Sequence, residues 1–138
     1  MLSLLFDVPL WQQNWIMMKH AFLIMAHNSL PLLRVLLSML DDERNDIFLH
    51  IDRKSDMLKS LSLGGAGGGS DEDSSELRKA FGLSKARFFV LKDRVDVRWG
   101  NLSQIRAEYA LFEAALRQGP YAYYHLLSGQ DLPIKSQD

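Results

Sequence analysis

The run Ala21–Ala26, AFLIMA, leaves no polar position on either side of a strand. Strand side chains alternate between two faces, so an apolar residue at every position needs cover on both. Strands of this kind belong to parallel sheets with crossover helices packed above and below. The run stops at His27-Asn28-Ser29, where Asn28 or Ser29 is placed to cap a helix that tolerates Pro31 in its first turn. The helix Leu30–Leu40, LPLLRVLLSML, is apolar enough to require packing on more than one side.

The pattern then repeats. Polar residues 41–46, DDERND, end the helix, and 47–52, IFLHID, reads as a second strand finishing in Asp52-Arg53-Lys54. Residues 86–92 form a third strand. After the polar stretch 93–101, Leu102, Ile105, Tyr109, Phe112 and Leu116 recur at steps of three and four, which predicts a helix with this stripe against the core. Asn101 or Ser103 caps its start, and Gly119 stands where it should stop. Residues 121–128, YAYYHLLS, read as a last buried strand. The order β-α-β-loop-β-α-β predicts a mainly parallel sheet with right-handed crossovers. At 138 residues there is material for one such domain, and no internal repeat is visible.

Charge and cysteine content exclude several functions. The overall charge is −1, and four acidic residues fall within 71–76, DEDSSE, so the rest of the chain carries about +3. That excess is too weak to hold nucleic acid, and no nucleic-acid partner is expected. With no cysteine there is no disulfide framework and no thiolate metal site, which fits a reducing compartment. Residues 1–18 are apolar in patches but interrupted by Asp7, Pro9 and Gln12-Gln13-Asn14, unlike a signal peptide or a transmembrane helix. They read as an N-terminal extension, either loosely ordered or making a short amphipathic contact with a membrane or a partner.

Two motifs fail on closer reading. Gly64 and Gly69 have the gap of a phosphate loop, but Ser70-Asp71 follows where Lys and Ser or Thr are needed. The glycine-rich stretch also follows no apolar strand, and no Gly-x-Gly-x-x-Gly follows Ala26, which disfavours a dinucleotide-binding oxidoreductase. Residues 63–76 therefore read as a flexible Gly/Asp loop. Asp71-Glu72-Asp73 matches the Asp-x-Asp pattern of cation chelation, but it follows a run of glycines rather than a rigid strand end. No metal site is expected there.

What remains polar and notable falls at strand ends. His27-Asn28, Asp52-Arg53-Lys54, Arg98-Trp99-Gly100 and Gly129-Gln130-Asp131 all follow strands or open the next helix. In a parallel sheet such tips converge on one edge, where ligands bind. A Trp that can stack on a ring, with Asp side chains that accept from N–H or hydroxyl groups, suits a nucleotide or a sugar. His20, His50 and His125 lie in or beside strands and read as core or edge residues. Asp131 has two readings, a group facing a ligand and a turn residue bonding nearby backbone N–H groups.

Four stretches together resemble one family. They are 20–37, HAFLIMAHNSLPLLRVLL; 48–56, FLHIDRKSD; 95–108, VDVRWGNLSQIRAE; and 124–136, YHLLSGQDLPIKS. In this order they resemble the core-2/I-branching glycosyltransferases, which include β-1,6-N-acetylglucosaminyltransferases and peptide O-xylosyltransferases. The resemblance covers residues 19–138, apart from the Gly/Asp loop. It implies a GT-A-like, Rossmann-like α/β fold, and transfer with inversion from a UDP-sugar to an acceptor hydroxyl of a glycan or polysaccharide without a metal ion. Carried over by position, Ala26 would line the uracil pocket, Asp52 would bond the uridine, and Val97, Arg98 and Trp99 would form the wall and stacking surface. His27 and Asp131 lie beside them.

The resemblance also sets expectations about what this stretch of chain lacks. The family's general base, a Glu, and the basic residues at the diphosphate are expected beyond Asp138, so no catalytic residue is assigned. Residues 1–138 then read as a truncated, donor-binding half that is inactive alone and prone to self-association through an exposed edge. The absence of Cys departs from the disulfide-bearing animal members. It points to a bacterial enzyme of polysaccharide synthesis in the cytoplasm, at the inner face of the membrane. The alternative is a non-catalytic nucleotide-binding or interaction module of the same fold.

Overall fold

The computed structural model describes residues 9–10, 18–61 and 75–138. The Gly-rich run and Asp71-Glu72-Asp73 lie outside the described residues. Four strands form one parallel sheet: β1 (His20–Ala26), β2 (Asn45–Ile51), β3 (Arg87–Val90) and β4 (Tyr123–Ser128), in the order β3-β2-β1-β4. Every pairing is parallel, with Phe22 opposite Ile47 on one side and His125 on the other. The helices that accompany the sheet in the described residues are α1 (Leu30–Leu40), α2 (Met57–Ser60), α3 (Ser75–Phe81) and α4 (Leu102–Gln118). This is a Rossmann-like α/β arrangement of the GT-A kind.

Each face of the sheet has its own core. On one, Ile24, Ile47, Leu49, Ile51 and Phe88 meet Leu33, Leu36, Leu37 and Leu40 of α1 and Leu77 and Phe81 of α3. On the other, Leu23, Phe48 and Phe89 meet Leu111, Ala114 and Ala115 of α4. The central strands β1 and β2 are thus covered on both sides, as their continuous apolar runs require. Among the described residues, no helix is long and apolar enough to cross a membrane.

Four expectations about the elements need correction. First, β2 begins at Asn45, so Asn45 and Asp46 are buried strand residues rather than part of a polar stop. Second, β4 is not a buried strand. It is an edge strand with no fully buried residue, and its His125 ring bonds His20, Nε2 to Nδ1, at 2.9 Å.

Third, the stripe on α4 faces the wrong way. Leu102, Ile105, Tyr109 and Leu116 are exposed, and only Phe112 packs partly on the core. The packed face is Leu111 with Ala107, Ala114 and Ala115, and the three alanines let the helix lie close to the sheet. Fourth, Ser29 starts α1 in a left-handed conformation and its side chain makes no cap bond. Asn28 instead accepts from Gln130 Nε2 at 2.7 Å, and Asn101 caps α4 through the Ser103 N–H.

Two helices escaped the sequence pattern. In α3, Leu77 and Phe81 sit four apart and are both buried, and Gly82 ends the helix at φ 76°. The N–H groups of Gly82 and Leu83 bond the carbonyls of Lys79 and Arg78, the paired bonds of a glycine-terminated helix. The signal for α3 was present in that spacing and that glycine. α2 is a single turn and had none.

Candidate functional site

In the strand order β3-β2-β1-β4 the chain works outward from β1 to β3, then crosses to the other side of β1. Such a reversal leaves a crevice at the strands' carboxyl ends. The crevice is occupied by a cleft of about 310 Å³, near the lower end of the range for small-ligand sites. Met25, Ala26 and His27 come from the tip of β1, and Leu126, Leu127 and Ser128 from the end of β4. His50 and Asp52 line the floor, Gln104 and Glu108 come from α4, and Lys54, Val97 and Trp99 complete the rim.

The backbone explains why the tips meet so closely. Asp52 N–H bonds Ala26 C=O at 2.8 Å, and Gly129 N–H bonds Met25 C=O at 2.7 Å, so both ladders run on past the strands. A Cβ at Gly129 would lie 2.9 Å from the Ala26 Cβ, closer than side-chain atoms tolerate. Gly129 is therefore required by space rather than by its backbone angles. Ala26 must stay small for the same reason.

Asp52 is nearly buried, and its Oδ1 accepts from the Lys54 N–H at 3.0 Å. Its second oxygen pairs with Lys54 Nζ at 3.7 Å, beyond ordinary hydrogen-bond length, and the residue lines the cleft. An ionised carboxylate offers only acceptors, so the ligand group that meets it must carry N–H or O–H. Across the cleft, Trp99 is 76% exposed, and its ring meets His27 edge-on at 6.4 Å between centroids. A large aromatic held at a cleft mouth with a free face suits stacking on a planar ring.

The wall that carries Val97 and Trp99 has no regular structure, so side chains tether it. Arg94 donates to three carbonyls, those of Asp52 at 3.0 Å, Arg53 at 2.8 Å and Ser55 at 3.1 Å. Lys54 Nζ bonds Val97 C=O at 2.7 Å and pairs with Asp96 at 2.8 Å. The hydrogen bond to Asp96 raises the Lys54 ammonium above its ordinary value and lowers the Asp96 carboxyl below its own. Val95 N–H bonds His50 Nε2 at 2.9 Å. Burial chiefly, with some opposition from the Asp52 charge, lowers the His50 imidazole below its ordinary 6.5.

Five of the seven residues singled out in the sequence meet in this cleft: Ala26, His27, Asp52, Val97 and Trp99. Arg98 and Asp131 do not line it. Arg98 exchanges bonds with the Ser103 hydroxyl through its backbone, at the start of α4. The Asp131 carboxylate accepts from Ser128 N–H at 2.8 Å, the turn role. The residues missed lie one pleat back from a tip, as His50 and Met25 do, or on the flank of α4. His50 was legible in principle, since it stands two residues before Asp52 and must share its face of the sheet. Among the described residues, no group of three or more His, Asp or Glu side chains is arranged for a metal ion.

The fold and the cleft define an α/β protein with a ligand crevice at the switch point of a parallel sheet. The family model for the core-2/I-branching enzyme matches residues 20–138, and the chain belongs to that family. Membership implies a glycosyltransferase, with a sugar donor and an acceptor. No curated protein matches the chain significantly.

Proposed function

We propose that the cleft is the donor site of an inverting, metal-independent glycosyltransferase. In this reading a sugar, N-acetylglucosamine or xylose, passes from a UDP-sugar to an acceptor hydroxyl in glycan or polysaccharide synthesis. The observation that carries it is the placing of Asp52 and Trp99 across one crevice in a chain of this family. Uracil is planar and presents one N–H between two carbonyl oxygens. Trp99 supplies a stacking surface, and Asp52 an acceptor for that N–H or for a ribose hydroxyl. Gln104 and Glu108 add an amide and a carboxylate on the α4 side.

Titration calorimetry of the chain with UDP, first in EDTA and then with Mg²⁺ or Mn²⁺, tests this directly. Binding in EDTA is expected. Asp52→Asn should weaken it by about tenfold or more, as loss of a hydrogen bond to a charged group does. Trp99→Ala should remove about 1–3 kcal/mol, the usual worth of a stacked base. Binding seen only with metal would overturn the metal-free part of the reading, and no binding in either buffer would overturn the donor site.

A further inference from the structure

His50 is buried beneath the cleft, yet it is neither an inert core residue nor a group that faces the ligand space openly. We propose that His50 is a positioning residue, whose neutral imidazole fastens the 95–99 wall to β2 and whose protonation releases it. The argument begins with the bond at 2.9 Å between Val95 N–H and His50 Nε2. A backbone N–H can only donate, so Nε2 must be the unprotonated nitrogen and the ring proton sits on Nδ1. An imidazolium has no acceptor to offer. Adding a proton therefore turns this attraction into two N–H groups facing each other.

The other tethers of the wall do not change in this way. Arg94 holds the loop through backbone carbonyls, which do not titrate, and the Lys54 ammonium, held above its ordinary value by Asp96, gains nothing from acid. Arg53 N–H bonds Val95 C=O at 3.1 Å, backbone to backbone. His50 is thus the tether whose hydrogen-bonding role reverses when its ring takes up a proton.

The surroundings of the ring are mixed. Asp52 favours the charged form and Arg94 opposes it, with burial as the chief opposing force. Lys54 and Glu108 line the same cleft from the neighbouring loop and from α4, and His27 from the tip of β1. The register neighbour on β1 is the apolar Met25. Neutral imidazole is consequently the resting state, and its loss belongs to the acid side of 6.5. The consequence for donor binding rests on the reading of the cleft given above; the fastening of the wall does not.

The test is amide hydrogen exchange by NMR on the full 138-residue chain, with Val95 as reporter. Trp99 is unsuitable because its ring also touches His27. As the pH is lowered from about 7.5 until the His50 ring signals report its protonation, the Val95 protection factor should fall by roughly tenfold or more as the local opening becomes easier. His50→Gln supplies a carbonyl acceptor that does not titrate, so Val95 should stay protected across that range. His50→Leu should leave Val95 weakly protected throughout; should that variant not fold, the wild type and His50→Gln decide alone.

Unchanged Val95 protection in the wild type, or the same acid loss in His50→Gln, would overturn the proposal. UDP affinity measured across the same range separates the two ideas. An acid loss of affinity that is absent in His50→Gln supports both. No UDP binding at any pH, beside the expected Val95 behaviour, removes the donor reading and leaves the fastening role standing.

Discussion

At the start of the strands, Asp46 is wholly buried and shares its oxygens among Arg87, the Tyr121 hydroxyl at 2.6 Å and Lys19 at 3.1 Å. Nearby, Asn45 and Gln137 exchange two amide bonds at 2.9 Å, and Asp41 accepts from Ser84, Lys85 and Ala86 ahead of β3. At the other end of the same strands, Asp52, Glu108 and Trp99 border open space. Both ends are polar and internally bonded; only the second opens onto a cleft. Buried polar groups that are fully partnered hold a fold together, whereas convergent polar groups around a crevice await a ligand. The contrast separates polar residues partnered within the fold from those that border the cleft.

The comparison breaks most visibly at Asp46. Burial pushes its carboxyl up, but Arg87, Tyr121 and Lys19 outweigh that and hold it below the ordinary 3.8. Asp46→Ala leaves Arg87 and Lys19 facing an empty site and should cost about 3–5 kcal/mol in denaturant unfolding. A loss under about 1 kcal/mol would show that the cluster is not the brace it resembles. Because the folded state holds this proton less tightly than the unfolded one, the stabilisation is present above 3.8 and disappears as pH falls through the lower folded value.

Gly129→Ala tests the boundary between the two ends. Crowding against Ala26 should cost about 1–3 kcal/mol and also displace the β4 tip, so stability and UDP affinity should fall together. A loss of one without the other would separate the packing of the tips from the shape of the cleft.

The smallest effect on stability is expected at Trp99. It is largely exposed, and Trp99→Ala should change unfolding free energy by no more than about 0.5 kcal/mol while UDP binding drops. A thermal shift larger than that would make Trp99 a part of the wall's own packing.

How far the sequence showed this depends on the kind of signal. β1, β2 and α1 were legible because residues such as Leu23, Ile24, Leu36 and Leu49 are large, apolar and contiguous, and burial on both faces leaves no other arrangement. α4 misled for the converse reason. Its large residues Ile105 and Tyr109 point outward, and the packed face is built from alanines that hydrophobic period underweights. The pairing of Asp46 with Lys19 and Arg87 left no mark in the sequence, since the three residues are far apart in it. In the cleft, residues directly after strands could be found from the order of elements alone. Gln104 and Glu108 could not, because they enter from the side of a helix whose packed face had been misjudged.

The parallel seating of β4 beside β1 has a consequence for how the protein acquires its site. His20 lies opposite Tyr123, so this pairing closes a loop of about a hundred residues, while β1 and β2 are joined through α1 alone. Closing the longer loop carries the greater entropy cost and gains its contacts late. Ser128 and Gly129 reach Met25 and Ala26 only when that closure is complete. On the donor-site proposal, capture of UDP during refolding should wait for this closure, and capture ahead of it would show a cleft formed without β4. A bound nucleotide would then report the final act of assembly, and a chain able to hold it would be one whose ends have already been brought together.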